Sequence, residues 1–212
     1  MIYSALLSEI DWLRHGFGTR AAPLSQDGMA SLKQIHSARV LAAHDAGLVG
    51  EGDALVTDQA GLRVSIRTAD CYPVLLVDVK TRRVAAVHAG WRGTAAQIVR
   101  ETLREMQADA KNVRAAIGPG IGKCCYKVGA DVARFFGAPT AQSAGHTAKC
   151  CIDLAAANRQ QLLDAGVDGA HIDVIARCTF CDAENFHSFR RDKESAGRLI
   201  SYVEIKNTAA EA

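Results

Sequence analysis

Apolar residues along this chain fall into short runs divided by polar or glycine-rich turns, and the spacing inside the runs alternates between strand-like and helix-like. After Gly61, Leu62 to Ile66 alternates loosely, Arg67-Thr68-Ala69-Asp70-Cys71 interrupts it, and Pro73 to Val77 is unbroken. Lys80 to Arg83 is a polar turn, and Val84 to His88 is again apolar, so Val74 to Val87 predicts a hairpin buried on both faces. His88 then ends a strand. Past Ala89-Gly90-Trp91-Arg92-Gly93, the residues Ala95, Ile98, Val99, Thr102, Leu103 and Met106 share one face of a helix that starts near Thr94. Val113 to Ile117 predicts a strand broken by Gly118-Pro119-Gly120-Ile121-Gly122. A second helix is expected from a cap at Asp153, with Leu154, Ala157, Gln161 and Leu162 inside, ending near Gly166. His171 to Ala176 and Leu199 to Ile205 read as strands, joined by a polar loop from Cys178 to Gly197. Strands outnumber helices without regular alternation, which predicts an α+β domain with a mixed β-sheet flanked by helices.

With 212 residues, four scattered prolines and no linker-like stretch, the chain reads as one domain over residues 1–206, with a frayed tail at 207–212. Hydrophobic residues at 49% and charged residues at 23% exclude disorder and coiled coil. The net charge of +2 and 6% aromatics leave no footprint for nucleic acid, so small-molecule substrates are expected. Met1 to Leu13 carries Glu9 and Asp11 and no basic segment, and no apolar run approaches a bilayer span. The expectation is a cytoplasmic protein without membrane contact; the sequence is compatible with a homodimer but does not set the assembly.

Three residues lie where an apolar element meets a loop: His36 in Gln34-Ile35-His36-Ser37, Cys71 after Ala69-Asp70, and His88 before Ala89-Gly90. A thiolate and two neutral imidazoles suit Zn²⁺ and leave a fourth position open. Their spacing matches no compact zinc motif, and the competing reading packs Cys71 in the core with each histidine making one hydrogen bond. Gly90 to Gly93, with Arg92, could bind an oxyanion through backbone N–H groups, or could be a tight turn with an exposed arginine. Arg20, Arg67, Arg190 and Arg191 are further candidates. Cys178-Thr179-Phe180-Cys181 is a CxxC, and Cys124-Cys125 and Cys150-Cys151 are adjacent pairs from which a structural zinc or a redox dithiol could be built. A redox motif should open a helix, yet Asp182 to Arg191 reads as a loop.

Together these segments closely resemble the laccase-domain or YfiH-like family. The resemblance runs from His15-Gly16-Phe17-Gly18-Thr19-Arg20 through Gln34-Ile35-His36-Ser37 and Gly52-Asp53-Ala54 to Ala69-Asp70-Cys71-Tyr72-Pro73. It continues through His88-Ala89-Gly90-Trp91-Arg92-Gly93, Ile117-Gly118-Pro119 and Cys178-Thr179 to Phe189-Arg190-Arg191-Asp192 and Gly197-Arg198. The resemblance implies that His36, Cys71 and His88 hold a catalytic zinc. It also implies phosphorolysis of adenosine, inosine and methylthioadenosine, with deamination of adenosine. On that footing Arg20, Arg67, Arg92 and Arg191 are the expected phosphate-binding groups. One departure is the short segment of 13 residues, Ala21 to Lys33, between the first two blocks, which implies an altered pocket wall.

Two rival chemistries use the same residues. Histidine and cysteine also make a copper set, as in a polyphenol oxidase, but seven histidines with no HxH pair argue against a multicopper centre. A cysteine hydrolase would use Cys71 with His36 or His88 as its base. A non-enzymatic reading, in which zinc staples a binding module, predicts no turnover of any nucleoside.

Overall fold

A computed structural model describes residues 1–137 and 150–207. Its strands are β1 Leu13–Phe17, β2 Ala30–Lys33, β3 Val40–Ala42, β4 Gly47–Glu51, β5 Ala54–Thr57, β6 Arg63–Thr68, β7 Tyr72–Asp78, β8 Arg83–Ala89, β9 Val113–Ile117, β10 Lys127–Val128, β11 Cys150–Cys151, β12 Ile172–Val174 and β13 Leu199–Ile205. Its helices are α1 Ala5–Ser8, α2 Trp91–Ala95, α3 Ile98–Glu105, α4 Ala130–Ala133, α5 Leu154–Asp164 and α6 Phe189–Asp192. The expected α+β architecture is present as mixed sheets with flanking helices.

The apolar run that ends at Val77 forms β7 at the middle of a six-stranded sheet, β12-β9-β7-β8-β5-β3. β7 and β8 form the expected hairpin, paired from Tyr72 with Ala89 to Asp78 with Arg83. Because side chains alternate along a strand, Val74 and Leu76 enter one core with Ile98, Val99 and Leu103 of α3, and Leu154 and Leu162 of α5. Leu75 and Val77 point the other way, into a second core beneath a five-stranded sheet, β1-β13-β6-β2-β4. Burial on both faces is thus the consequence of a helix, sheet, sheet layering. Each such side chain contributes about 1.5–3 kcal/mol on burial.

The helix expected from Thr94 is two helices. α2 starts at Trp91, with Gly90 as its N-cap residue, and Gln97 turns into the left-handed region at φ 64 before α3 begins. The apolar face from Ile98 to Met106 is buried as expected, whereas the helix starts earlier than Thr94 and is interrupted at Gln97, where no interruption was expected. α5 is capped as expected, with Asp153 accepting a hydrogen bond from Ala156 N–H at 2.9 Å. Asn158 stands on its buried side rather than Ala157, bonded to Leu154 O at 2.8 Å. β12 is shorter than the run His171 to Ala176, and the loop from Cys178 holds α6. The tail expected at 207–212 lies beyond the described residues from 208 onward.

His15 on β1 is buried and accepts a hydrogen bond from Ser4 N–H through Nε2 at 3.0 Å, which requires that nitrogen to be unprotonated. Burial lowers its pKa from the ordinary 6.5. The unfolded chain therefore binds the proton more readily, and stability should decline as pH falls below about 6.5. Urea unfolding at pH 7.5 and 5.5 checks this: the loss should shrink in His15→Gln, and an unchanged pH slope in that variant would contradict the assignment.

Candidate metal centre

The site is organised by a buried carboxylate, Asp53, immediately before β5. Asp53 Oδ1 accepts from His36 N–H at 2.9 Å, and Oδ2 accepts from Ser37 N–H at 2.6 Å, Ser37 Oγ at 2.8 Å and Ile35 N–H at 3.3 Å. This clasp holds His36 at φ 58, a left-handed conformation unusual for a residue with a side chain. Oδ1 also meets His88 Nδ1 at 2.8 Å, and His88 N–H donates to Asp53 O at 2.7 Å. Burial alone would raise the Asp53 carboxyl, but the hydrogen bonds from His88 and Ser37 outweigh it and hold its pKa at about 2. Asp53 stood only inside a family block in the sequence. Its role was not readable there, because its partners are mostly main-chain groups.

His36, Cys71 and His88 converge: one potential ligand atom from each lies within 4.8 Å of the others. The imidazole rings stand edge to face, centroids 4.8 Å apart and planes at 76°. With Nδ1 of His88 committed to Asp53, Nε2 is the nitrogen free to coordinate. A carboxylate behind a histidine ligand is the usual way to fix its tautomer. His88 is buried, Cys71 half-buried and His36 exposed, so the cluster opens toward solvent on the His36 side. Burial pushes the Cys71 thiol up, yet hydrogen bonds with His36 and His88 bring it down to about 6. Burial lowers His88, whereas hydrogen bonds with Asp53 and Cys71 raise it to about 9. One sulfur and two imidazole nitrogens with an open side fit a divalent ion of the zinc type.

Gly90 is packed against this cluster. A Cβ placed there would lie 2.9 Å from Cys71 Sγ and 3.2 Å from His36 Cδ2. Its φ of −77° suits any residue, so Gly90→Ala tests the space alone. We expect the variant to fold normally and to bind metal roughly tenfold more weakly, since a displaced ligand of this kind costs about 1.4 kcal/mol or more. Equal affinity by competition with a chelator would contradict the packing argument.

The arginines divide into two groups. Arg92 lies over the Trp91 ring, its Cζ 4.5 Å from the centroid, and its guanidinium makes no hydrogen bond among the described residues. Its charge and that of Arg190 both lower the Tyr126 pKa, against the larger effect of burial, which raises it. Arg67 is exposed on β6, and its main chain clasps the Gln34 amide by two hydrogen bonds of 2.8 Å, two residues before His36. Arg20 instead reaches Ala183 O at 3.1 Å. Arg191 departs most from the expectation: it donates to Thr179 O, Phe180 O and Phe186 O, each at 2.9 Å, and to both oxygens of Asp192 at 2.8 Å. All five of its N–H donors are used. Its neighbour Arg190 is the residue beside Tyr126, 5.2 Å from the ring centroid.

Asp70, at φ 83, accepts from Thr179 Oγ1 at 2.7 Å and from Arg190 N–H at 2.6 Å, so it ties the Cys71 turn to the Cys178 loop. The loop from Gly90 to Gly93, read either as an anion cradle or as a tight turn with an exposed arginine, is the N-cap and first turn of the five-residue α2, with Arg92 exposed. Cys178 and Cys181 meet Cys124 and Cys125 in a second cluster, and Cys150 and Cys151 lie on β11. A cleft of about 390 Å³ between α2, α5 and Phe135-Phe136 contains none of the three metal-centre residues.

Residues 17–206 match the family model described as multi-copper polyphenol oxidoreductase laccase. The chain is 40% identical over 191 residues to a protein of Deinococcus radiodurans named purine nucleoside phosphorylase, covering 86% of this chain and 72% of that one. It is 36% identical to one named adenosine deaminase RL5 from an unknown prokaryotic organism, covering 84% of this chain and 75% of the relative. The crystal structure of YlmD from Geobacillus stearothermophilus superimposes with a TM-score of 0.78 at 32% identity, over 86% of this chain and 75% of that one. Two further relatives, from Bacteroides thetaiotaomicron and Geobacillus stearothermophilus, are matched over 60% and 59% of their length. The buried carboxylate, the histidine it orients and the thiol beside it therefore belong to a member of the multi-copper polyphenol oxidoreductase laccase family, among whose relatives are enzymes named for purine nucleoside chemistry.

Proposed function

We propose that the chain is a zinc-dependent purine nucleoside phosphorylase, acting on adenosine, inosine and S-methyl-5′-thioadenosine, with adenosine deamination as a second activity. The observation that carries this reading is the meeting of His36, Cys71 and His88 around one point, with Asp53 behind His88. His36 Nδ1 or Nε2, Cys71 Sγ and His88 Nε2 would hold the ion, which supplies Lewis acidity at the open side. In phosphorolysis a phosphate oxygen forms a bond to ribose C1′, the C1′–N9 bond breaks, and its electron pair leaves with a purine that takes up a proton. The chain's part is to hold phosphate and sugar in line and to neutralise the oxyanion. Arg92 suits the oxyanion, and so does Arg190, which keeps N–H donors beyond the one given to Lys127 O at 2.8 Å and lies on the Tyr126 ring. Arg67 stands at the edge of the His36 loop.

Purified protein of measured metal content, incubated with each nucleoside with and without phosphate, tests the reading. Ribose 1-phosphate from inosine, and the corresponding methylthioribose 1-phosphate, support phosphorolysis; inosine formed from adenosine without phosphate supports deamination. Metal-replete protein that forms neither overturns it. A sulfur and two imidazoles also suit copper, and the family's description names that metal. Oxidation of a phenol by copper-loaded protein, without nucleoside turnover, would favour that alternative. Rapid alkylation of Cys71 without chelator would favour a cysteine nucleophile.

The two arginine groups should separate by experiment. Arg92→Ala should raise the KM for phosphate roughly tenfold, the effect of one lost charge-assisted hydrogen bond of about 1.5 kcal/mol. Arg191→Met should instead lower unfolding stability by about 2–3 kcal/mol through its stranded carbonyls. If Arg191→Met changed the phosphate KM more than Arg92→Ala did, the division would be wrong.

A further inference from the structure

Away from the His36 centre, two loops bring four thiols together. Cys124 and Cys125 follow Gly122 at the end of the glycine turn after β9, and Cys178 and Cys181 form the CxxC after β12. Their four sulfurs all lie within 4.8 Å of one another. Cys124 Sγ and Cys181 Sγ are 3.8 Å apart, and Cys125 Sγ and Cys181 Sγ are 3.3 Å apart. A tetrahedral zinc site with Zn–S bonds of about 2.3 Å has sulfur-to-sulfur edges of about 3.8 Å. A disulfide brings its sulfurs to about 2.05 Å, whereas these pairs stand at 3.8 and 3.3 Å, and a polynuclear iron-sulfur cluster spreads its cysteines over several metal atoms.

The main chain is arranged in the same sense. Cys178 Sγ accepts a hydrogen bond from Gly122 N–H at 3.2 Å. A sulfur that accepts a main-chain N–H is placed as a thiolate is placed in a metal knuckle. A bridge between Gly120 and Cys178, with Thr179 N–H donating to Gly120 O at 3.0 Å, keeps the two loops side by side. A Cβ on Gly122 would sit 3.2 Å from both Cys124 Sγ and Cys178 Cβ, so the missing side chain is what lets the sulfurs gather.

We propose that Cys124, Cys125, Cys178 and Cys181 form a second, closed tetrathiolate centre for one zinc ion, which fixes the loop that carries Arg190. The connection runs through short bonds. Thr179, inside the CxxC, donates to Asp70, which also holds Arg190 N–H; Arg191 donates to the carbonyls of Thr179 and Phe180; and Cys125 directly precedes Tyr126, on whose ring Arg190 lies. With no open coordination position, the ion is structural. Its binding releases the thiol protons and requires no redox partner.

The proposal does not depend on the reading of the His36 centre, and two variants separate them. Protein reconstituted with zinc under reducing conditions should hold two zinc ions per chain. His36→Ala should lose one and keep one, and Cys178→Ser with Cys181→Ser should lose the other. Because loss of metal and loss of fold coincide in that double variant, the deciding measurements use His36→Ala, which keeps all four cysteines. One equivalent of Co²⁺ should give it the intense visible and near-ultraviolet absorption of tetrahedral thiolate coordination, and amide exchange over residues 178–192 should slow on zinc binding. A His36→Ala protein with all seven thiols freely alkylated in the presence of zinc and no such Co²⁺ spectrum would overturn the proposal, as would a disulfide between Cys125 and Cys181 in the reduced preparation.

Discussion

Replacing Cys71 with alanine should strip the ion from the His36 centre and end phosphorolysis and deamination together, while leaving the fold intact. Cys71 supplies the centre's one sulfur and the negative charge that favours a divalent ion over two neutral imidazoles alone. The loss should exceed the roughly 10–100-fold that removal of a group supporting a ligand costs. Cys71 is half-buried and precedes β7 rather than lying within it, so Tyr72 to Val77 should pair as before and the unfolding midpoint of the metal-free protein should move little. Metal content after dialysis and turnover of inosine with phosphate check the two halves of the expectation. Full activity without metal at the His36 centre would defeat the assignment, and retained metal with lost activity would make the cysteine a nucleophile instead.

Asp53→Asn should produce the next largest effect, by a different route. The amide keeps the shape of the carboxylate but replaces one oxygen with an NH₂ group. That oxygen now accepts from either the Ser37 group and Ile35, or from His36 N–H while facing His88 Nδ1. If NH₂ faces His88, the imidazole proton moves to Nε2, the nitrogen needed for coordination. If it faces Ser37 and Ile35, their N–H groups lose their acceptor and the His36 turn loosens. Either way metal affinity should fall about 10–100-fold, and stability by about 2–3 kcal/mol for the lost charge-assisted bonds. Chelator competition and urea unfolding measure the two. Unchanged affinity would mean that Asp53 serves only the loop.

The parts of the fold that could be read from the sequence are those where one local pattern decides. β7 and β8 read as a buried hairpin because both faces are apolar, and α5 read correctly from its aspartate cap. β1 to β5 were not readable. They are three to five residues long, β1 and β4 include glycine, and β3 and β4 keep partly exposed faces, so no alternation stands out. The break at Gln97 left no mark, because a left-handed glutamine looks like any polar helix position. At the site, the three ligand residues were visible as chemistry-bearing side chains at element ends, but their meeting depended on a resemblance to a family, since residues 36, 71 and 88 meet only through sheet topology. Adjacent Arg190 and Arg191 are indistinguishable by type. Only the carbonyls of Thr179, Phe180 and Phe186 show that Arg191 braces the loop. The CxxC was ambiguous for the same reason, its partners Cys124 and Cys125 being more than 50 positions away.

Whether His36, Cys71 and His88 share one ion is decided by a crystal of zinc-reconstituted protein with anomalous difference maps recorded on both sides of the zinc edge. A peak should lie about 2.3 Å from Cys71 Sγ and about 2.0–2.1 Å from His88 Nε2 and one His36 ring nitrogen. A map with no zinc signal between those three side chains, in crystals grown with excess zinc, would contradict the shared site.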